Sequence, residues 1–176
     1  MKPQLALVAA IALFCLYAHA QSTRARRYRD PTSGVAIQIP DGWRIDRESS
    51  ALTITSFDPK DRPPQLLVPV GEAQIVVTGP PEGIESIQSW MKSERIQESR
   101  GYYITTASIT TKYFGTLLAT VAKLQPEVIP EGTLLVYFLN LHDRPVKVAL
   151  FYRGEKRAEY FENIQKTVIE NLEVNQ

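Results

Sequence analysis

Histidine and cysteine are almost missing from this chain of 176 residues, which has two histidines and one cysteine. Cys15 and His19 both lie near the amino terminus, so a chain processed after residue 20 would keep His142 alone. Such a chain excludes disulfides, cysteine nucleophiles and cysteine-ligated metals. His142 and Asp143 stand in a stretch typical of a tight hairpin turn, so we interpret them as turn residues rather than as a catalytic or metal-binding pair. The sequence predicts no cofactor and no metal.

Long hydrophobic runs are also missing, apart from one run of Leu5 to Tyr17 that is too short to span a bilayer comfortably. Lys2 precedes this run and the small-residue site Ala18-His19-Ala20 follows it, which is the pattern of a secretory leader. We expect residues 1–20 to be a signal peptide. Small exported eukaryotic domains usually depend on disulfides, and the processed chain would contain no cysteine. We therefore expect export to a bacterial periplasm or to the medium.

The chain has no large excess of charge of either sign, with 20 Lys and Arg against 19 Asp and Glu. This balance argues against a nucleic-acid partner, which an excess of positive charge would attract. Arginine is concentrated locally at Arg24, Arg26, Arg27 and Arg29. We expect residues 21–31 to be a flexible, poorly ordered arm. The arm is either a solvated linker or a weak contact with an anionic surface or an acidic partner.

Catalytic motifs are absent from the sequence, including the nucleophile elbow, the phosphate loop, the dinucleotide fingerprint and the zinc-protease helix. The one class of enzyme that the composition does not exclude is a hydrolase that uses two carboxylates. We interpret the acids near the predicted turns as solvated surface residues, namely Asp41, Asp46, Glu48, Asp58 and Asp61. The chain is therefore predicted not to be an enzyme.

What the sequence does contain is a clear alternation of apolar residues between Gly34 and Phe57. The first period-2 run, Val35 to Ile39, is followed by the turn Pro40-Asp41-Gly42, and the alternation resumes at Trp43 and again at Leu52. This stretch predicts a three-strand meander with a tryptophan at its first corner.

The rest of the chain continues as strands, a helix, more strands and a second helix. We predict a proline-rich loop at 58–71, strands at 73–77, 102–111, 114–124, 133–141 and 146–152, turns at 111–113 and 142–145, and helices at 84–98 and 155–172. This order predicts an α+β protein, with an antiparallel β-sheet and helices packed on it in α/β/α layers. A single domain over residues 32–174 is expected.

The turn Pro40-Asp41-Gly42-Trp43, the short meander and the terminal helix after Phe-Tyr-Arg-Gly together resemble the PsbP-like family, named for an extrinsic subunit of photosystem II. The resemblance runs from Tyr28 to Val174. It implies an antiparallel sheet between helices and a role as an accessory or assembly protein rather than as an enzyme. Pro40, Gly42 and Trp43 are carried over as markers of the fold alone.

The predicted function is therefore that of a non-catalytic adaptor, accessory or assembly module that contacts an envelope protein. A binder of a small apolar or lipid ligand between sheet and helix is the alternative, and a carboxylate hydrolase is the weaker one. We expect partner contacts at the loop 58–71, because long loops are often functional, and at the region Tyr102 to Phe114, because tyrosine is enriched in protein interfaces. The candidate contact residues are Arg24, Arg26, Arg27, Arg62, Tyr102 and Tyr113.

Overall fold

The computed structural model describes residues 26–31, 34–49, 51–62, 68–98, 102–126 and 131–174. The predicted signal peptide and Arg24 lie outside the described residues. Within the described part of the chain, no helix is long and apolar enough to cross a membrane.

Ten strands and two α-helices make up the described chain. The strands are β1 (Arg26–Arg29), β2 (Val35–Ile39), β3 (Arg44–Asp46), β4 (Leu52–Thr55), β5 (Ala73–Thr78), β6 (Tyr102–Phe114), β7 (Leu117–Pro126), β8 (Gly132–Leu141), β9 (Arg144–Arg153) and β10 (Glu173–Val174). The helices are α1 (Ile87–Glu98) and α2 (Ala158–Glu170), and short 3-10 turns lie at Pro59–Asp61 and Glu155–Arg157.

The strands form two antiparallel sheets. The smaller sheet has the order β1-β2-β10, and the larger has the order β3-β4-β5-β9-β8-β7-β6. One face of the larger sheet packs against β2 and α2 in the main core, and its other face packs against α1 around Trp90. The residues of β5 alternate between buried and half-buried positions, as a period of two requires. The predicted α+β class, with helices on an antiparallel sheet, is confirmed.

The predicted three-strand meander is wrong in one respect, because β2 does not pair with β3. It pairs with β1 and β10, while β3 pairs with β4 in the other sheet. The corner between them closes with a bond from the Trp43 amide to the Pro40 carbonyl at 3.1 Å, and Gly42 takes a φ of 76° that favours glycine. Trp43 is buried at this corner and meets the ring of Phe161 edge-on, with 6.2 Å between centroids. The turn therefore carries the chain from one layer to the next.

The segment expected to be a poorly ordered arm also differs. Arg26–Arg29 form β1 against β2, with Tyr28 opposite Ile37 and packed on the main core. Arg27 makes an ion pair with Glu173 of β10 across the small sheet. Expected disorder is wrong for these residues, because the core contact of Tyr28 and the backbone pairing with β2 hold them.

Two turns lie at positions that differ from the predicted ones. Residues 111–113 belong to β6, and the β6–β7 turn lies at Gly115, whose φ of 58° favours glycine. His142 and Asp143 form the β8–β9 turn with φ values of 50° and 63°, while Arg144 and Pro145 belong to β9. Helix α2 begins at Ala158, after a 3-10 turn.

Candidate interaction surface

Strand β6 ends the larger sheet, and its ladder with β7 is continuous from Ile109 to Phe114. It pairs with β7 on one side, and no strand among the described residues pairs with its other side. The strand at the opposite end of this sheet, β3, is three residues long, whereas β6 is thirteen. An edge strand presents unpaired backbone N–H and C=O groups, which are a template for a further strand.

The side chains of β6 alternate between the two faces of the sheet. Ile109 packs with Trp90 on the α1 face, whereas Phe114 packs on the main core and meets Tyr137 edge-on at 5.3 Å between centroids. Since alternate residues share a face, Tyr113 lies on the α1 face with Ile109, and Lys112 lies on the opposite face with Phe114.

At the hairpin end of the sheet, the α1 face is left uncovered. Tyr113 is 74% exposed and lies opposite Leu118, which is 49% exposed. The register of β7 with β8, one residue beyond the Ala119–Leu139 pair, places Asn140 beside Leu118, and Pro145 lies opposite Asn140. We call these four residues, Tyr113, Leu118, Asn140 and Pro145, the tip platform.

The tip platform begins where the cover of α1 ends. Phe138, two residues before Asn140 on the same face, is buried under Trp90 with the rings edge-on at 5.6 Å between centroids. Lys147 places its Nζ 5.4 Å from the centre of the same indole ring. A tyrosine and a leucine therefore stand exposed beside a part of the sheet that α1 covers.

The charge along this hairpin has one sign. Strands β6 and β7 together contain Lys112 and Lys123 and no acidic residue. Lys112 is the one charged residue of the segment Ile109 to Phe114 and is exposed. We call the segment 109–114 the β6 edge. The β6 edge presents backbone polar groups and the charge of Lys112 beside the exposed side chains of Tyr113 and Leu118.

Arg62, a predicted contact residue, is bound within the protein. Its Nη2 lies 2.7 Å from Oδ2 of Asp46 and donates to Oε1 of Gln74 at 3.2 Å, while its guanidinium carbon stands 5.9 Å from the ring centre of Phe57. Asp46 is 3% exposed, so its interpretation as a solvated surface acid is wrong. The guanidinium and the amide of Glu48, which donates to Oδ1 at 3.1 Å, stabilise the buried carboxylate.

The described ends of the loop 58–71 are both tied to the sheet. At one end Arg44 makes an ion pair with Asp58. At the other end Val68 is buried against Phe57 and Phe151, and Nη1 of Arg153 donates to the Val68 carbonyl at 3.3 Å. These contacts give Asp58, Arg62 and Val68 a role in holding the loop.

The other predicted contact residues are not brought to the tip platform. Arg26 and Arg27 belong to the smaller sheet, and Tyr102 begins β6 at the end away from Tyr113. Leu118 was missed by the sequence analysis. A prediction of the β6–β7 turn at Gly115 would have identified Leu118, because a hairpin that turns there places Tyr113 opposite Leu118.

The interface between α2 and the sheet contains a buried polar group among apolar side chains. Phe161, Val168 and Ile169 are buried there, and Nε2 of Gln165 donates to the carbonyls of Leu135 at 2.9 Å and Val148 at 3.0 Å. Oε1 of Gln165 is buried without a hydrogen-bond partner. These side chains lie between sheet and helix, where the alternative hypothesis places an apolar ligand.

Two tyrosines face the same helix. Burial, and the nearby Glu162 carboxylate, raise the pKa of Tyr137 above 10.0. Burial likewise raises the pKa of Tyr152 above 10.0, and its hydroxyl donates to Oε1 of Glu162 at 3.3 Å. Both phenols stay protonated at neutral pH, and that of Tyr152 acts as a hydrogen-bond donor. In the described part of the chain, no three His, Cys, Asp or Glu residues are grouped to hold a metal ion.

No protein-family model matches the sequence, and no curated protein matches it. Solved structures do match its fold. The cyanobacterial PsbP of Synechocystis aligns over 88% of this chain and 96% of its own, at 12% identity and a TM-score of 0.51. A Pseudomonas aeruginosa protein of unknown function, PA94, aligns over 86% and 97%, at 15% identity and a TM-score of 0.50.

The Ran-binding protein Mog1p of Saccharomyces cerevisiae aligns over 87% of this chain and 96% of its own, at 11% identity and a TM-score of 0.50. At such identities the likeness concerns the fold alone. The prediction from the Pro40–Trp43 turn and the order of elements is confirmed at that level: the chain has a PsbP-like fold.

Proposed function

We propose that this protein is a non-catalytic interaction module that binds a protein partner through the tip platform of the β6–β7 hairpin. The observation that carries the proposal is the pair of Tyr113 and Leu118, exposed opposite one another on a hairpin whose outer strand ends the larger sheet of the described chain. Tyrosine is enriched among the residues that dominate binding energy, because it buries a large area at a small entropic cost.

Tyr113 and Leu118 expose enough apolar area to contribute measurably to the free energy of binding. An aromatic side chain buries roughly 150–250 Å² when it is covered, and apolar burial contributes about 25 cal/mol per Å². Covering the exposed three-quarters of Tyr113 would therefore contribute about 3 kcal/mol. Leu118 would add about 1 kcal/mol, since half of it is already covered.

The comparisons support this class of function without fixing it. Mog1p is named as a Ran-binding protein, so one protein with this fold binds another protein. A fold hosts many functions, and the site decides among them. The tip platform supports binding, and an adaptor, accessory or assembly role follows from the same surface.

The proposal includes export, with an envelope protein as the partner, because the first 20 residues have the pattern of a secretory leader. A fusion of residues 1–31 to alkaline phosphatase, which is active outside the cytoplasm, tests this part. Activity that is lost when Leu7 and Val8 are replaced by charged residues supports export. An inactive fusion that accumulates in the cytoplasm contradicts it.

The binding proposal is tested by in-cell crosslinking of the tagged full-length protein, followed by mass spectrometry. Tyr113→Ser and Leu118→Ser should each remove the same crosslinked partner. Tyr160→Ser is the matched control, because Tyr160 is 42% exposed on α2 under the guanidinium of Arg157. A partner recovered equally with Tyr113→Ser and with the unchanged protein would contradict the proposal.

A further inference from the structure

We infer that the β6 edge takes up an extended segment of its partner as an added strand, and that this segment alternates apolar and acidic residues. The inference rests on the proposed function and names the chemistry of the partner. It follows from three properties of the hairpin: its backbone, the alternation of its side chains, and its charge.

The backbone of the β6 edge provides the template. The segment from Ile109 to Phe114 is in register with β7 from Leu117 to Ala122, so it is extended on a formed ladder. Its outer side has no paired strand among the described residues. At the opposite end of the sheet, β3 is short, and its Arg44 and Asp46 are already engaged in ion pairs. Addition of a strand is a common mode of peptide recognition at such an edge.

The alternation of β6 fixes what the added strand must carry. Thr111 and Tyr113 lie on the α1 face, where Tyr113 and Leu118 expose apolar area, and Thr110 and Lys112 lie on the α2 face. Residues of an added strand alternate in the same way. One set of its side chains therefore lies beside Tyr113, where apolar groups are favoured, and the other set lies beside Lys112, where carboxylates are favoured.

The charge of the hairpin selects against a second copy of this chain. A two-fold pairing of β6 edges would bring together two strands whose one charged residue is the exposed Lys112. Lysine on an edge is a common device against such self-pairing, because like charges across strands are destabilising. The same lysine favours a partner strand of opposite charge.

The test uses the purified protein and two blocked peptides of about eight residues, one alternating Val and Glu and the other alternating Val and Lys. Amide chemical shifts locate binding, and titration gives Kd for each peptide. We expect the Glu peptide to shift the amides of residues 109–114 and to bind about fivefold more tightly than the Lys peptide. Lys112→Glu should reverse this preference, and Lys92→Glu, an exposed change on α1, should leave it unchanged.

Two results would overturn the inference while leaving the proposed function intact. The first is the absence of shifts at residues 109–114 with the Glu peptide, in a protein whose partner capture still depends on Tyr113. The second is a preference that Lys112→Glu does not alter, since the edge would then bind without regard to charge. Capture that is independent of both Tyr113 and Leu118 would instead contradict the proposed function.

Discussion

Asp46 and Arg62 form an ion pair. We predict that replacing Arg62 lowers the stability of the fold more than neutralising Asp46 does. The Asp46 side chain is 2% exposed and that of Arg62 is 30% exposed. Arg62→Met keeps the aliphatic stem beside Phe57 but leaves a buried carboxylate without its counter-ion. Asp46→Asn keeps the shape of the side chain and leaves a guanidinium that water can reach. The first change should therefore lower the free energy of unfolding more than the second.

The magnitudes follow from the burial of the group that is left behind. Removing one partner of a fully buried pair costs about 3–5 kcal/mol. We expect about 3 kcal/mol for Arg62→Met, at the lower end of that range, because Asp46 keeps its bond from the Glu48 amide. For Asp46→Asn we expect about 1–2 kcal/mol, since a hydrogen bond to a charged group is lost and the guanidinium can hydrate.

Urea denaturation followed by tryptophan fluorescence measures these values, because Trp43 and Trp90 are both buried. The double variant should cost less than the sum of the single variants by about 1 kcal/mol or more, as expected for residues in contact. Equal costs for the two single variants would refute the burial argument. Strict additivity would refute the pairing itself.

Three further predictions concern stability. Because the pKa values of Tyr137 and Tyr152 are raised above 10.0, the folded state keeps protons that the unfolded chain releases, so stability is full below about pH 10 and falls above it. The double Tyr→Phe variant should show a shallower alkaline loss in urea midpoints, and an unchanged slope would contradict this. Gln165→Met should change the free energy of unfolding by less than about 1 kcal/mol, because removal of the unpaired Oε1 offsets the two lost hydrogen bonds. Gln165→Ala should lower it by about 2–4 kcal/mol, because the smaller side chain leaves a cavity. Gly42→Ala should cost about 1 kcal/mol at its φ of 76°, and a neutral result in thermal unfolding would contradict the turn geometry.

Local patterns were sufficient for the elements whose partners are near in sequence. The predicted strands at 133–141 and 146–152 match β8 and β9 closely, and the His142-Asp143 turn was placed within a residue or two. These elements pair through short connections, so each pattern contains most of what fixes its structure.

Features that depend on distant residues were not predictable in the same way. The period-2 pattern is identical on either side of Pro40, so it cannot reveal that the chain changes sheets there. Asp46 is buried because Arg62, sixteen positions later, reaches it. The strand at Arg26–Arg29 was not predicted, because three of its four residues are arginines. Its contact with the core comes from Tyr28. Burial of a charged residue depends on its partner in space.

For the candidate site, the aromatic region was predicted but its geometry was not. The sequence indicated Tyr113 as a contact residue. With the turn placed at 111–113, the predicted strand register did not pair Tyr113 with Leu118. The turn at Gly115 places Tyr113 opposite Leu118, in the strand that ends the larger sheet of the described chain. Arg62 illustrates the reverse case, since its charge indicated a surface contact that an internal carboxylate already occupies.

The most direct test of the tip platform replaces Tyr113 with the photoreactive p-benzoylphenylalanine in cells, with the same replacement at Tyr160 as the comparison. Both positions are exposed tyrosines, so both accept the probe on the surface. We predict a discrete crosslinked protein on irradiation from position 113 and none above background from position 160. Crosslinks from position 160 alone, or equal crosslinks from both positions, would contradict the assignment of the β6 hairpin as the interaction surface.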